Sequence, residues 1–460
     1  GDRFVVGRRE QGNGGENGNE LLHTGNTKER RGDRDPGYAN PQSGKNHFMK
    51  APVLGYTMEG ELMRPTFFIL LCTTALAGLL PTATANDATP PAIEKGTRGV
   101  SNFIAKLEKE KKAHVVFLGG SITENKTGHT KMVPDWLREK WPQVDFTFTN
   151  AGLSSTCSTT GAFRLNRDVL SQGPVDLLIV EFAVNDDQDA KHDRQSAIRG
   201  LEGIIRQYFK ANPTGDVISV QFVNPPILAK ALAGEEAASV EAHKAVARHY
   251  NVPSVDVGLA LSREIAAGKM TWEKDYKDTH PNPAGYQFAS NLITKVIADT
   301  VSGGTPQTVL LPEPLDVFSY SGATMVDPQT LSWLGGWKFD TVSQALLPLG
   351  SIRSGFTAFK ALRSDGAGDY LYHTFSGTML GAFVLAGPDA GMLEVSIDGG
   401  EWKKVDLYHQ HSKGLNYPRS VVLADGLEKS YHNLAIRVAE EKNPDSKGNT
   451  ATILYFEVNE

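Results

Sequence analysis

Three short apolar runs, each ended by residues that turn the chain, constrain this sequence more than any other feature. His114-Val115-Val116-Phe117-Leu118 runs into Gly119-Gly120-Ser121, Phe146 to Thr149 into Asn150-Ala151-Gly152, and Asp176 to Ala183 (DLLIVEFA) into Val184-Asn185-Asp186. Their length and β-branched content read as strands, and the nearly continuous apolar character of the third is that of a strand covered on both faces. Helical patterns run from about Arg194 to Lys210, Glu235 to Tyr250 and Pro283 to Asp299, with further strand candidates at Val217 to Gln221 and Ser254-Val255-Asp256. Such alternation predicts a parallel sheet with right-handed crossovers and helices on both faces. In an open sheet of this kind, ligands sit beyond the carboxyl ends of the strands, where loops and helix amino termini offer free N–H groups. All three turns fall there.

Each turn has an ordinary structural explanation. Gly119-Gly120-Ser121 could merely start a helix, with Ser121 or Thr123 as its cap, and a strand-terminal Asn-Asp pair forms local turns. Taken together they offer more. Ester hydrolysis requires a nucleophile that loses its proton as it attacks, and donors aimed at the oxygen that becomes negative. Ser121 supplies a hydroxyl, and Asn185 supplies a side-chain amide. His280, in the loop KDTHPNPAGY just before the last helical pattern, supplies a base, with Asp278 two residues upstream. A carboxylate near an imidazole can fix its tautomer and stabilise the imidazolium.

Ser121, Gly152, Asn185 and His280, in this order, resemble the four name-giving positions of the SGNH (GDSL-type) hydrolases, over roughly residues 95 to 302. The resemblance implies a flavodoxin-like three-layer α/β/α domain and an esterase whose oxyanion donors are the N–H groups of Ser121 and Gly152 and the amide of Asn185. The family usually has its aspartate three residues before the histidine, where this chain has Lys277. Asp278, Asp275 or no carboxylate at all therefore remain open as the third member. Glu181 lies within an apolar strand, so it requires a partner. Arg164 is the candidate for an ion pair supporting the site. Cys157, alone among Ser and Thr, reads as a small packing residue. No HEXXH motif or zinc-type spacing occurs, so neither a metal nor another cofactor is expected.

Residues 1 to 62 are rich in Gly, Asn and Arg and lack periodicity, and they read as a disordered or non-native extension. From Met63 the pattern is that of a signal peptide over residues 63 to 85. Met63-Arg64 is followed by an apolar run from Phe67 to Leu80 and by Ala83-Thr84-Ala85, with cleavage expected before Asn86. The run is shorter than the roughly 20 residues of a membrane span, and Leu71 before Cys72 argues against a lipoprotein. A secreted or periplasmic protein is expected. Residues 1 to 85 carry ten basic and nine acidic side chains, which leaves 37 basic against 44 acidic and a net charge near −7. That balance argues against nucleic acid or an anionic membrane as the main partner. With only Cys157 left, no internal disulfide can form.

Ser302-Gly303-Gly304 to Pro314 reads as a linker over residues 303 to 316. Beyond it, short β-rich runs at Gly381 to Ala386, Met392 to Ile397 and Leu434 to Val438 alternate with turn signals, among them Asp398-Gly399-Gly400. An antiparallel β-sandwich, jelly-roll-like, is expected over residues 317 to 460. Trp333, Trp337, Trp402, Tyr408 and Tyr417 could offer it sugar-stacking faces. Secreted members of the resembling family with an attached sandwich look like carbohydrate esterases that release acetyl groups, so an acylated carbohydrate is the expected substrate. A lipid-acting esterase and a non-catalytic carbohydrate-binding protein are the alternatives. Nothing in the residues speaks to oligomeric state.

Overall fold

The strand Lys112–Gly119 carries alternate side chains into two separate cores, which explains why its sequence is apolar on both faces. Val115 and Phe117 point to one hydrophobic cluster, and Val116 and Leu118 to the other. The computed structural model describes residues 90–300 and 306–460. The extension expected at 1 to 62 and the signal peptide expected at 63 to 85 lie outside the described residues. The first part of the chain contains β1 (Ile93–Glu94), β2 (Lys112–Gly119), β3 (Asp145–Gly152), β4 (Leu177–Glu181), β5 (Asp216–Gln221) and β6 (Ser254–Asp256). They form one sheet in the order β1-β6-β5-β4-β2-β3, parallel except for β1.

The helices are α1 (Ser101–Glu110), α2 (Ser121–Glu124), α3 (His129–Lys140), α4 (Ser158–Asp168), α5 (Ala183–Gln188), α6 (Arg194–Ala211), α7 (Pro225–Leu232), α8 (Ala238–His249), α9 (Val257–Ala266), α10 (Trp272–Asp275) and α11 (Pro283–Ala298). Val133 and Leu137 of α3, Leu261 of α9 and Ile293 of α11 fill one core, whereas Phe163 of α4, Leu201 and Ile204 of α6 and Val246 of α8 fill the other. The three-layer α/β/α architecture follows from this two-sided burial. Two local differences from expectation stand out. The stretch after β5 holds a separate helix, α7, capped by the Asn224 side chain with Pro225 at its first turn. Val184-Asn185-Asp186 forms the start of α5 where an end-of-strand turn was expected.

The second part holds β7 (Ala323–Val326), β8 (Ser332–Leu334), β9 (Lys338–Thr341), β10 (Lys360–Ser364), β11 (Tyr370–Gly377), β12 (Met379–Ala386), β13 (Met392–Ile397), β14 (Lys403–Asp406), β15 (Tyr417–Ala424), β16 (Ser430–Val438) and β17 (Ala451–Asn459). One antiparallel sheet runs β15-β12-β17-β10-β9, with β7 also on β17, and the other runs β14-β13-β16-β11-β8. Leu380, Ala382 and Phe456 of the first sheet and Leu371, Val395 and Ile436 of the second share one core. The hairpin expected at Ser396 to Trp402 joins β13 to β14, and its Asp398-Gly399 pair takes the positive φ angles (54° and 71°) of a tight hairpin turn.

Over the described residues the two parts pack as one unit. Tyr320, Ala323 and Met379 join the α4/α6 core, Thr160 Oγ1 meets Ser420 Oγ at 2.6 Å, and Gln207 Nε2 donates to the Tyr320 carbonyl at 2.8 Å. The segment expected as a linker is itself held against the first part. Val309 N donates to the Pro213 carbonyl, the N–H groups of Leu315 and Asp316 donate to the Glu202 carboxylate, and Val309 and Leu311 pack on the core. No helix among the described residues is long and apolar enough to cross a membrane.

A Cβ on Gly203 in α6 would fall 2.7 Å from the Tyr320 main chain. Gly203→Ala should therefore lower stability by about 1–3 kcal/mol in urea titration. A wild-type midpoint in this variant would mean that the two parts are not packed as described.

Candidate active site

Ser121 is the first residue of α2, directly beyond the carboxyl end of β2. Two glycines make that placement possible. A Cβ on Gly119 would lie 2.2 Å from both Glu181 Oε1 and Thr123 Oγ1, and one on Gly120 would lie 2.2 Å from Asn185 Oδ1. Without those carbons the turn sits directly against β4. Glu181 Oε1 then accepts the Gly120 N–H at 3.0 Å and the Thr123 hydroxyl at 2.6 Å. From the other side, buried Arg164 donates to the carbonyls of Gly119 (2.9 Å) and Ala151 (2.8 Å), and its charge is balanced by Asp168 at 3.0 Å.

The expected Glu181–Arg164 ion pair is therefore not formed. Each side chain finds main-chain partners on its own side of the nucleophile turn, and both support it. Burial pushes the Glu181 carboxyl up to about 7, with the hydrogen bonds from Thr123 and Gly120 only partly offsetting the loss of water.

His280 Nε2 lies 2.7 Å from Ser121 Oγ. The loop that presents it is fixed at its far end. Asn282 caps α11 by accepting the Gly285 N–H (2.9 Å), its amide donates to the Lys274 carbonyl, and Tyr286 Oη donates to the Ile122 carbonyl next to Ser121. Asp278 Oδ1 accepts the main-chain N–H of His280 at 2.7 Å, while the Asp275 carboxylate accepts the Thr271 N–H at 2.7 Å. Neither carboxylate hydrogen-bonds the imidazole, and His280 Nδ1 has no partner among the described residues.

One cavity of about 570 Å³ is lined by Ser121, Ser155, Asn185, Asp189, Asp278 and His280, together with Arg353, His411 and Tyr417 from the second part of the chain. Asn185 donates one N–H to Asp189 Oδ2 at 2.8 Å, which leaves its other N–H free and turns its Oδ1 toward Gly120. Next to it, Asp186 accepts the Ser158 N–H and faces His243 at 2.9 Å and His192 at 3.4 Å. Burial alone would raise the Asp186 carboxyl, but those two histidines outweigh it and hold it well below the usual carboxylate range.

Gly152 is not in this cavity. Its N–H is taken by the Asn150 side chain at 2.9 Å, and its bare Cα lets α2 approach, since a Cβ would fall 2.2 Å from Glu124 N. Ser155, three residues on, lines the cavity with a positive φ of 68°, and its N–H has no partner among the described residues. Sequence reasoning missed Ser155 because only the backbone turn after Leu153 marks it.

Cys157 is buried. Its sulfur, an Asp186 oxygen and a His192 ring nitrogen lie within 4.8 Å of one another. This is the one grouping of metal-capable atoms among the described residues, and spacing along the chain does not announce it. The Asp186 oxygens in it are already engaged by Ser158 and His243. Of the five aromatics expected to offer stacking faces, Trp337, Tyr408 and Tyr417 are buried and Trp402 is exposed.

Because the folded Glu181 value lies above its ordinary one, its contribution to stability is complete below about pH 4.5 and is lost as pH rises through about 7. Glu181→Gln should recover about 1–3 kcal/mol of that loss, read as a shallower fall of Tm between pH 5 and 8. Buried Glu457 and Asp216, pushed up to about 8 and about 7, should account for the slope that remains. An unchanged slope in the variant would mean that Glu181 is already ionised at low pH.

With this geometry in place, the GDSL-like lipase/acylhydrolase family matches residues 117–288. No curated protein matches the chain. Among solved structures, a two-domain esterase active on acetylated mannans superimposes with a TM-score of 0.64 and 22% identity, covering 79% of this chain and 96% of that one. The same values hold for that esterase co-crystallised with mannopentaose. At this identity the likeness is one of fold, and it extends over both parts of the chain. Residues 117–288 form a domain of the GDSL-like lipase/acylhydrolase family, and the protein is a hydrolase acting on ester bonds.

Proposed function

We propose that the protein is a secreted serine esterase that removes acetyl groups from polysaccharide. The observation that carries this reading is the 2.7 Å contact between Ser121 Oγ and His280 Nε2 in a polar cavity at the carboxyl end of the sheet. Ser121 Oγ attacks the acyl carbon as His280 Nε2 takes its proton. The carbonyl oxygen becomes an oxyanion, received by the N–H groups of Ser121 and Ser155 and by the free N–H of Asn185. Ser155 thus stands where the resemblance put Gly152. Protonated His280 then hands its proton to the departing sugar oxygen. Water, deprotonated by His280, then attacks the acyl carbon, and the proton passes from His280 to Ser121 Oγ as acetate leaves.

Asp278 serves this cycle by holding the main chain of His280, whose N–H its Oδ1 accepts at 2.7 Å. The substrate class rests on the esterase of the same two-part fold that acts on acetylated mannans, an argument by analogy. Secretion rests on the charged, apolar and small-residue succession from Met63 to Ala85.

Wild type should hydrolyse an aryl acetate and release acetate from acetylated mannan or xylan, without releasing fatty acid from lysolipid. Ser121→Ala should be inactive, and Asn185→Ala should fold normally yet turn over about 10² to 10³ more slowly. Full activity in either variant would remove that residue from the mechanism. Asp278→Asn should lower kcat only about tenfold and Asp275→Asn hardly at all. A fall approaching 10⁴ for Asp278→Asn would instead indicate a carboxylate that orients the imidazole directly.

A further inference from the structure

Part of the cavity wall belongs to the second part of the chain, and one side chain in it lacks what its neighbours have. Every other arginine among the described residues has an ion-pair or hydrogen-bond partner. Arg353 has none. Its Nε is buried and unpartnered, although the side chain lines the same cavity as Ser121 and His280. A guanidinium carries five N–H donors and keeps its charge at any working pH, so withholding it from protein acceptors is costly unless something else accepts them.

The backbone under Arg353 is well anchored. The Arg353 carbonyl accepts the Phe356 N–H at 3.0 Å, and Phe356 is buried in a cluster with Phe383 and Leu385. Ser351 bridges to Leu415, and the Asn416 N–H and side chain bond the carbonyls of Ser351 and Leu349. A Cβ on Gly355 would lie 3.6 Å from Glu124 Oε1, so this loop rests on the helix that begins with Ser121. Arg353 is thus presented to the site by a braced loop.

From this placement we infer that Arg353 is a specificity-determining residue, whose donors bind hydroxyl or ring oxygens of the sugar that carries the scissile ester. The inference rests on the proposed polysaccharide deacetylation. An acetyl group has one acceptor oxygen, and the oxyanion donors already claim it. The fork of Arg353 must therefore read the alcohol side of the ester, where a sugar offers several oxygens in fixed geometry.

Arg353→Ala and Arg353→Lys are to be compared with wild type on acetylated mannan and on an aryl acetate, with Tm confirming the fold. For the Ala variant, the ratio of kcat/KM on mannan to that on the aryl ester should fall about tenfold or more, chiefly through KM. Lys should restore only part of it, because it keeps the charge but not the fork. Equal losses on both substrates, or no loss on mannan, would overturn the assignment while leaving the esterase reading intact. A wild type that cleaves the aryl ester but not acetylated polysaccharide would instead overturn the substrate reading, and this assignment with it.

Discussion

The active-site geometry depends on a turn without side chains being gripped from two sides. Gly119 and Gly120 bring the end of β2 within hydrogen-bonding distance of a buried carboxyl and a buried guanidinium, and these hold its N–H and C=O groups respectively. Buried ionisable groups are costly, and here the cost is partly offset by the bonds that each makes to the main chain of the nucleophile turn. The same turn sets the position of Asn185 Oδ1, packed against Gly120, and of Tyr286, which reaches back to Ile122. Nucleophile, amide donor and histidine loop are therefore registered to one backbone feature.

The second part of the chain is joined to this arrangement more closely than an appended binding module would be. His409 Nε2 contacts the Asp189 carbonyl at 3.1 Å and His411 Nε2 faces the Asp189 carboxylate at 3.6 Å, while Asp189 in turn orients the Asn185 amide. Tyr417 stacks on His409 with ring centres 4.3 Å apart and lines the cavity. The cleft is thus bounded by both parts, which pack through a shared apolar cluster around Tyr320 and Met379.

Much of this was legible in the sequence, for physical reasons. The two-sided burial of Leu177 to Val180 wrote itself as an unbroken apolar run, and the turn chemistry of Gly119-Gly120 and of Pro281-Asn282-Pro283 marked where Ser121 and His280 would sit. The alternating runs of the second part likewise announced antiparallel sheets. What depends on backbone direction was not legible. Gly152 and Ser155 differ by a turn whose handedness leaves no compositional trace, and the partners of Arg164 and Glu181 are main-chain groups that no side-chain pattern reveals. The meeting of distant segments, such as Arg353 and His411 in the cavity that Ser121 lines, was hidden for the same reason.

The Ser121 hydroxyl owes its nucleophilicity to His280, 2.7 Å away. Treating the folded protein with an alkyl fluorophosphonate and mapping the adduct by peptide mass spectrometry tests it directly. A single adduct on Ser121, formed rapidly in wild type and barely at all in His280→Ala, is the predicted result. An adduct on another residue, or equal labelling of Ser121 in both proteins, would mean that His280 does not activate Ser121.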